Sequence, residues 1–268
     1  MSDPQFDPGP VTFIPRVEGG ESWRLAARKR ADAGPTVVWL GGFRSEMIAT
    51  KASRLDQWAA ARGRAFLRFD YCGHGESEGS YETSTIGRWL ADSLGVVDAL
   101  AAGERLLLVG SSMGGWIALL LARALAARGE AGRLAGMVLI APATDFTQEL
   151  MWPEMSDEAR AEMMATGRWL RPSEYAPEPY PITRALIEEG REHLLFGAPV
   201  RTHCPVHILQ GMQDPDVPWR HAQRLFEALA ADPAVISYVK DGDHRLSREE
   251  DLRLLVGAVE AMGEAASG

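Results

Sequence analysis

The chain has 268 residues, 46% of them hydrophobic and 24% charged, which is enough apolar material for one large core. Its formal net charge of -9, with no local run of lysine or arginine to offset it, argues against a nucleic-acid partner. No stretch approaches the ~18 unbroken apolar residues that a membrane span needs.

The opening residues, Met1 to Pro10, are acidic and proline-rich, with neither the basic-then-apolar order of a secretory signal nor the arginine-rich pattern of a transit peptide. A cytoplasmic location is therefore expected. Cys72 and Cys204 lie in separate loops without metal or redox spacing, so both are expected to be reduced thiols. Val11 to Arg16 and Trp23 to Arg30 read as two strands around a glycine-based hairpin. The apolar run Thr36 to Leu40 is the next strand, ending in Gly41-Gly42-Phe43. From about Met47 to Arg62, Ile48, Ala52, Leu55 and Ala59 share one helical face, and Gly63 closes the helix. Ala65 to Tyr71 is a strand that opens into the glycine-rich loop Cys72 to Gly79, and a helix follows from about Ile86 to Ala102.

The strand beginning at Arg105 runs into Gly110-Ser111-Ser112-Met113-Gly114 and straight on into an apolar helix to about Arg128. This is the pattern of a nucleophile elbow. So tight a turn tolerates almost no side chain two residues before or after the nucleophile, and Gly110 and Gly114 stand at those offsets from Ser112. Ser111 fails the same test, because the β-branched Val109 would crowd it. Met137 to Ile140 and Val206 to Leu209 are further strands, then come a helix from Trp219 to Ala230, the strand Val235 to Val239 and a last helix from about Arg248 to Met262. Strands alternating with helices predict an α/β fold: a mostly parallel eight-stranded sheet with helices on both faces. A single domain over 1–268 is expected, with an insertion at about 145–200 in which no strand is predicted. That insertion reads as a helix after Ser156, a proline-studded connector from Pro172 to Pro181 and a helix from Ile182 to Leu195. Placed after the strand that follows the elbow helix, it belongs over the carboxyl ends of the strands, as a helical lid.

A serine hydroxyl needs an imidazole to take its proton, and the imidazole needs a carboxylate to hold its tautomer. In this fold the acid and then the base follow the serine, each after a later strand. Asp214 is the acid chosen over Asp216 because it stands closer to the strand end, and His244 is the histidine placed after the last strand and before the last helix. His203 and His207 are four apart, but Pro205 between them breaks any helix that would pair them on a metal. His221 is expected at the surface and His193 solvated or packing within the lid, while His74 lies on the mouth side, where a substrate contact is open. The oxyanion requires two backbone donors. Met113, at the start of a helix, is the first; Phe43 is the choice for the second, with Gly42 as fallback. Arg44 offers either a clamp for a substrate carboxylate or a salt bridge to Glu46 or Asp70. Met151 and Trp152 head a Met- and Trp-rich lid stretch that packs on the sheet or lines an acyl tunnel.

Phe69-Asp70-Tyr71-x-Gly-x-Gly-x-Ser, Gly110-Ser111-Ser112-Met113-Gly114-Gly115-Trp116, Gly211-Met212-x-Asp214-x-x-Val217-Pro218-Trp219 and Asp243-His244-Arg245 together resemble one α/β-hydrolase family. It is the family of mycophenolic acid acyl-glucuronide esterase, also described as palmitoyl-protein thioesterase. The likeness runs from roughly Pro35 to Val256. It implies a triad at Ser112, Asp214 and His244 and hydrolysis of carboxylic esters or thioesters of a small-molecule or acylated-protein substrate, with no cofactor and no metal. Eukaryotic members carry a mitochondrial transit peptide that the opening residues do not match, so the expectation stays cytoplasmic. A binding module that keeps the fold without catalysis, or a peptidase or C–C bond hydrolase with the same triad, are the rival readings.

Overall fold

A computed structural model describes residues 8–18, 20–172, 179–229 and 231–265. Its central sheet has eight strands in the order β1 (Thr12–Glu18), β2 (Glu21–Arg30), β4 (Arg64–Phe69), β3 (Ala33–Leu40), β5 (Leu106–Ser111), β6 (Leu134–Ile140), β9 (Val206–Gly211) and β10 (Ala234–Val239). β1 and β2 form the antiparallel edge, Thr12 opposite Ala27 and Glu18 opposite Glu21, and β2 runs antiparallel to β4. From β4 onward every pairing is parallel.

Parallel strands need crossovers, and the helices that provide them divide between the two faces. Successive side chains alternate across a strand, so Val38 and Leu40 of β3 and Leu106 and Leu108 of β5 face one layer. In that layer lie Trp89, Val96 and Val97 of α2 (Ile86–Leu100), Trp116 to Ala122 of α3 (Met113–Ala127), and Ala222 and Leu225 of α6 (Trp219–Ala228). Val37 and Trp39 of β3 and Leu107 and Val109 of β5 face the other. There they meet Ala52, Leu55 and Ala59 of α1 (Thr50–Arg62) and Leu255, Ala258 and Val259 of α7 (Glu249–Ala265). Arg68 of β4 is buried in this second layer, where it is paired with the equally buried Asp56 of α1. The sheet, its order of elements and its two-sided cover are those the sequence predicts.

Between β6 and β9 the chain leaves the sheet. It makes one wide helical turn, Thr147–Met151, then α4 (Asp157–Thr166), a hairpin of β7 (Arg168–Arg171) with β8 (Tyr180–Thr183), and α5 (Arg184–Gly190). Ser156 caps α4 by accepting from the Ala159 amide at 3.2 Å, and Asp157 and Glu158 occupy its first turn. The hairpin corrects the strand-free reading. Trp169 pairs with Ile182 and Leu170 with Pro181. In a two-stranded ribbon both strands are edges, so the missing N–H of Pro181 is tolerated where a central strand would reject it. Ile182 therefore lies in a strand, and the second helix starts only at Arg184, capped by the Thr183 hydroxyl. The middle of the expected connector, 173–178, lies outside the described residues. Met155, Ala159, Met163, Ile182 and Ile187 give the insertion a small core of its own, and Phe43, from the loop after β3, packs against it.

Candidate active site

β5 ends at Ser111 and α3 begins at Met113, leaving Ser112 alone in the turn with φ 55° and ψ −118°. An L-residue takes that backbone only where its surroundings impose it. The glycines at the two-residue offsets are sterically required. A Cβ on Gly110 would stand 2.3 Å from the Gly114 carbonyl oxygen, and one on Gly114 would stand 2.0 Å from that of Leu40. Ser111, by contrast, is buried in the strand.

The loops after β9 and β10 bring their residues to Ser112. His244 Nε2 lies 3.1 Å from Ser112 Oγ, and His244 Nδ1 lies 2.8 Å from Asp214 Oδ2. The Asp214 side chain has no exposed surface, whereas the imidazole keeps about a fifth of its own. The other carboxylate oxygen accepts the amides of Asp216, at 2.9 Å, and Val217, at 2.8 Å. Asp216 thus serves Asp214 through its backbone. Its carboxylate stays within 4.8 Å of the facing Asp214 and His244 atoms.

Phe43 follows Gly41-Gly42, and a Cβ on Gly42 would come 3.5 Å from Ser112 Cβ, so this loop runs directly beside the serine. The Phe43 amide bonds to no acceptor among the described residues. Met113 opens α3, where the first amides have no intrahelical partner. The Phe43 ring sits in an aromatic group, with centroids 5.3 Å from Tyr81, 5.6 Å from Phe146 and 5.9 Å from Trp89.

The remaining expectations divide. Arg44 makes no salt bridge to Glu46 or Asp70; its guanidinium lies 4.5 Å over the ring of Tyr180 in the insertion. Asp70 accepts instead from the amides of Met47 and Glu76. Met151 packs on both the sheet core and the insertion core, and Trp152 carries Arg160 and Arg191 over its ring. His207 bonds Ser237 across to β10 rather than pairing with His203. His193 bonds Glu189 at 2.7 Å. The surface placing of His221 is corrected. It is buried, sharing the inner face of α6 with Ala222 and Leu225, with Nε2 2.8 Å from the Thr144 carbonyl, and burial holds its pKa below the ordinary value. His74 is buried as well, and its ring faces protein atoms.

Two supporting residues escape a reading by motif. Gln210 is fully buried near the end of β9 and donates from Nε2 to Asp214 Oδ2 at 3.3 Å and to the Val217 carbonyl at 3.0 Å, holding the loop that carries Asp214. The one trace in the sequence is a polar residue directly after the apolar pair Ile208-Leu209, at the end of the strand. Asp145, with φ 56°, accepts the amides of Leu195 and Phe196 and so ties the end of the insertion to the loop after β6. The cavities lined by Trp58, Arg62 and Val259 and by Lys29, Asp32 and Glu104 lie elsewhere and include no residue of the serine site.

A family model described as serine aminopeptidase, S33, matches residues 34–181. Human palmitoyl-protein thioesterase ABHD10, mitochondrial, is 33% identical over 88% of this chain and 75% of its own length. The chain belongs to the S33 family of α/β hydrolases. Its ABHD10-like branch is also visible in solved structures. The mouse alpha/beta hydrolase domain-containing protein 10 superposes with a TM-score of 0.82 at 30% identity, covering 95% of this chain and 98% of that one. A protein from Agrobacterium vitis S4 superposes with a TM-score of 0.92 at 48% identity, over 96% and 100%. Membership makes this S33 hydrolase a relative of serine hydrolases of the esterase and thioesterase kind. It also corrects the location: the ABHD10 relatives are described as mitochondrial, which overturns the cytoplasmic expectation drawn from the composition of ten residues. No helix among the described residues is long and apolar enough to cross a membrane.

Proposed function

We propose that this protein hydrolyses carboxylic esters or thioesters through an acyl-enzyme on Ser112. The observation that carries the reading is the unbroken line Asp214 Oδ2, His244 Nδ1, His244 Nε2, Ser112 Oγ, at 2.8 and 3.1 Å. Asp214 accepts at Nδ1, which therefore bears the proton and leaves the Nε2 lone pair facing the serine. His244 takes the Ser112 proton as Oγ attacks the substrate carbonyl carbon. The oxyanion forms between the amides of Met113 and Phe43, helped by the amino end of α3. The tetrahedral intermediate collapses as His244 returns the proton to the leaving alcohol or thiol. Water, deprotonated by the same imidazole, then attacks the acyl-enzyme and releases the acid and free Ser112.

The relatives described as palmitoyl-protein thioesterases support an acyl chain on sulfur as the first substrate to try. The aminopeptidase description of the matched family supports a second reading, aminoacyl amide hydrolysis by the same serine. A panel of p-nitrophenyl esters of rising acyl length, an S-palmitoyl peptide, an acyl-CoA and an aminoacyl p-nitroanilide separates them. Turnover of the esters or thioesters that is lost in Ser112→Ala is expected. Cleavage of the anilide alone would replace this reading with the peptidase one.

A further inference from the structure

We infer that His74 is a positioning residue for the oxyanion loop: its unprotonated Nε2 holds the Arg44 amide and thereby sets the direction of the Phe43 N–H. The inference rests on the acyl-transfer reading above. Gly41 and Gly42 give the loop no side chains with which to restrain itself, and Arg44 has φ 58°, a left-handed backbone that costs a non-glycine residue free energy. One turn bond inside the loop, from the Ser45 amide to the Gly42 carbonyl at 3.0 Å, restrains the peptide before Phe43, and the rest of the loop must be held from outside. The segment after β4 does so at two points: Tyr71 Oη donates to the Gly41 carbonyl at 3.4 Å, and His74 Nε2 accepts from the Arg44 amide at 3.1 Å.

The two ring nitrogens fix one tautomer. Nδ1 lies 3.2 Å from the Cys72 carbonyl, which can only accept, so Nδ1 carries the proton. The Arg44 amide can only donate, so Nε2 is bare. Both contacts demand the same neutral form, and burial, which lowers the pKa of His74, favours it. Cys72 is itself fixed to α2, its amide donating to Asp92 at 2.8 Å and its carbonyl accepting from Trp89 Nε1 at 3.2 Å. Tyr71, Tyr81 and Trp89 box the imidazole, with centroids 5.7, 5.8 and 5.4 Å away. A hydrogen-bonded relay thus runs from a buried helix to the peptide that follows Phe43.

The test compares His74→Phe, which keeps an aromatic ring but no acceptor, with His74→Gln, whose amide oxygen can accept. On an ester the wild type hydrolyses, His74→Phe should lower kcat on the order of 10- to 100-fold, somewhat less than the loss of a whole oxyanion donor, with KM changed by less than about twofold. Affinity for an alkyl boronic acid, whose tetrahedral adduct on Ser112 occupies the oxyanion site, should fall by the same factor. His74→Gln should recover most of both. A folded His74→Phe with wild-type kcat and boronate affinity overturns the inference, as does an equal loss in His74→Gln. The wild type provides a test that needs no variant: long-range 1H–15N spectra should show His74 protonated at Nδ1 and bare at Nε2, and an Nε2–H tautomer refutes the proposal. A wild type that cleaves nothing and binds no boronate would count against the acyl-transfer reading, while the tautomer would still decide the role of His74.

Discussion

Ser112 holds a backbone conformation that costs about 1 to 3 kcal/mol, and the two glycines around it are what make it reachable. Gly114→Ala drives a methyl group into the Leu40 and Gly41 carbonyls, atoms next to the proposed oxyanion amide of Phe43. It should lower stability by about 3 kcal/mol or more and abolish labelling by an active-site fluorophosphonate; thermal melts and labelling rates check both. Asp214→Asn should leave the fold intact, because its amide oxygen can still accept from Asp216 and Val217. Its NH2 then faces His244 Nδ1 and forces the wrong tautomer, so kcat should fall on the order of 10³- to 10⁴-fold in steady-state assays. That Ser112, Asp214 and His244 meet was legible because each sits at a strand end, where chain order and turn chemistry select one residue type. Gln210 and His74 were not, because their roles depend on which backbone atoms two separate loops bring within about 3 Å, and no local pattern encodes that distance.

The insertion is joined to the main core by apolar side chains, Leu150, Met151, Leu186, Leu195 and Phe196 among them, and by a few polar anchors. Glu189 of α5 accepts the Gly87 amide of α2 at 2.9 Å, Trp116 Nε1 donates to the His193 carbonyl, and Asp145 receives Leu195 and Phe196. Phe43 packs on both cores. We propose that this element acts as a lid over Ser112. Asp145→Ala would leave the half-buried amides of Leu195 and Phe196 without their partner at the end of the insertion, and the expected cost is about 1 to 3 kcal/mol. Limited proteolysis should then cut the variant between 168 and 200 faster than the wild type; equal cleavage would show that the anchor contributes little. The helix starting after Ser156 was readable from its cap and acidic first turn. The β7–β8 hairpin was hidden because four-residue strands carry too little alternation to register, and prolines on an edge strand look the same as prolines in a loop.

At the scale of the whole molecule, burial of titratable groups away from the triad sets the pH response of stability. The pKa values of His74 and His221 are both lowered by burial, so on acidification the unfolded chain takes up protons that the folded one refuses. Their contribution is present above the ordinary value of 6.5 and is lost as pH falls through it toward their folded values. Asp92 works in the opposite sense. Burial raises it from 3.8 to about 6, so the stability linked to its proton is full below 3.8 and gone above about 6. Between about pH 7.5 and pH 6 the histidines dominate, and the urea midpoint should fall. His221→Gln, which can still donate to Thr144, should flatten that fall; a midpoint that rises over the same interval contradicts the assignment. The mostly parallel eight-stranded sheet with helices on both faces was legible at this scale because strands alternate with helices along the chain; the order of the strands within the sheet was not read from the sequence.

Whether Ser112 is the nucleophile is tested most directly by treating the full chain with a fluorophosphonate, digesting it and locating the adduct by mass spectrometry. One adduct on the peptide containing Ser112, absent from Ser112→Ala and formed far more slowly in His244→Ala, is the expected result. Labelling of Ser112→Ala at the wild-type rate, or an adduct confined to another residue, would contradict it.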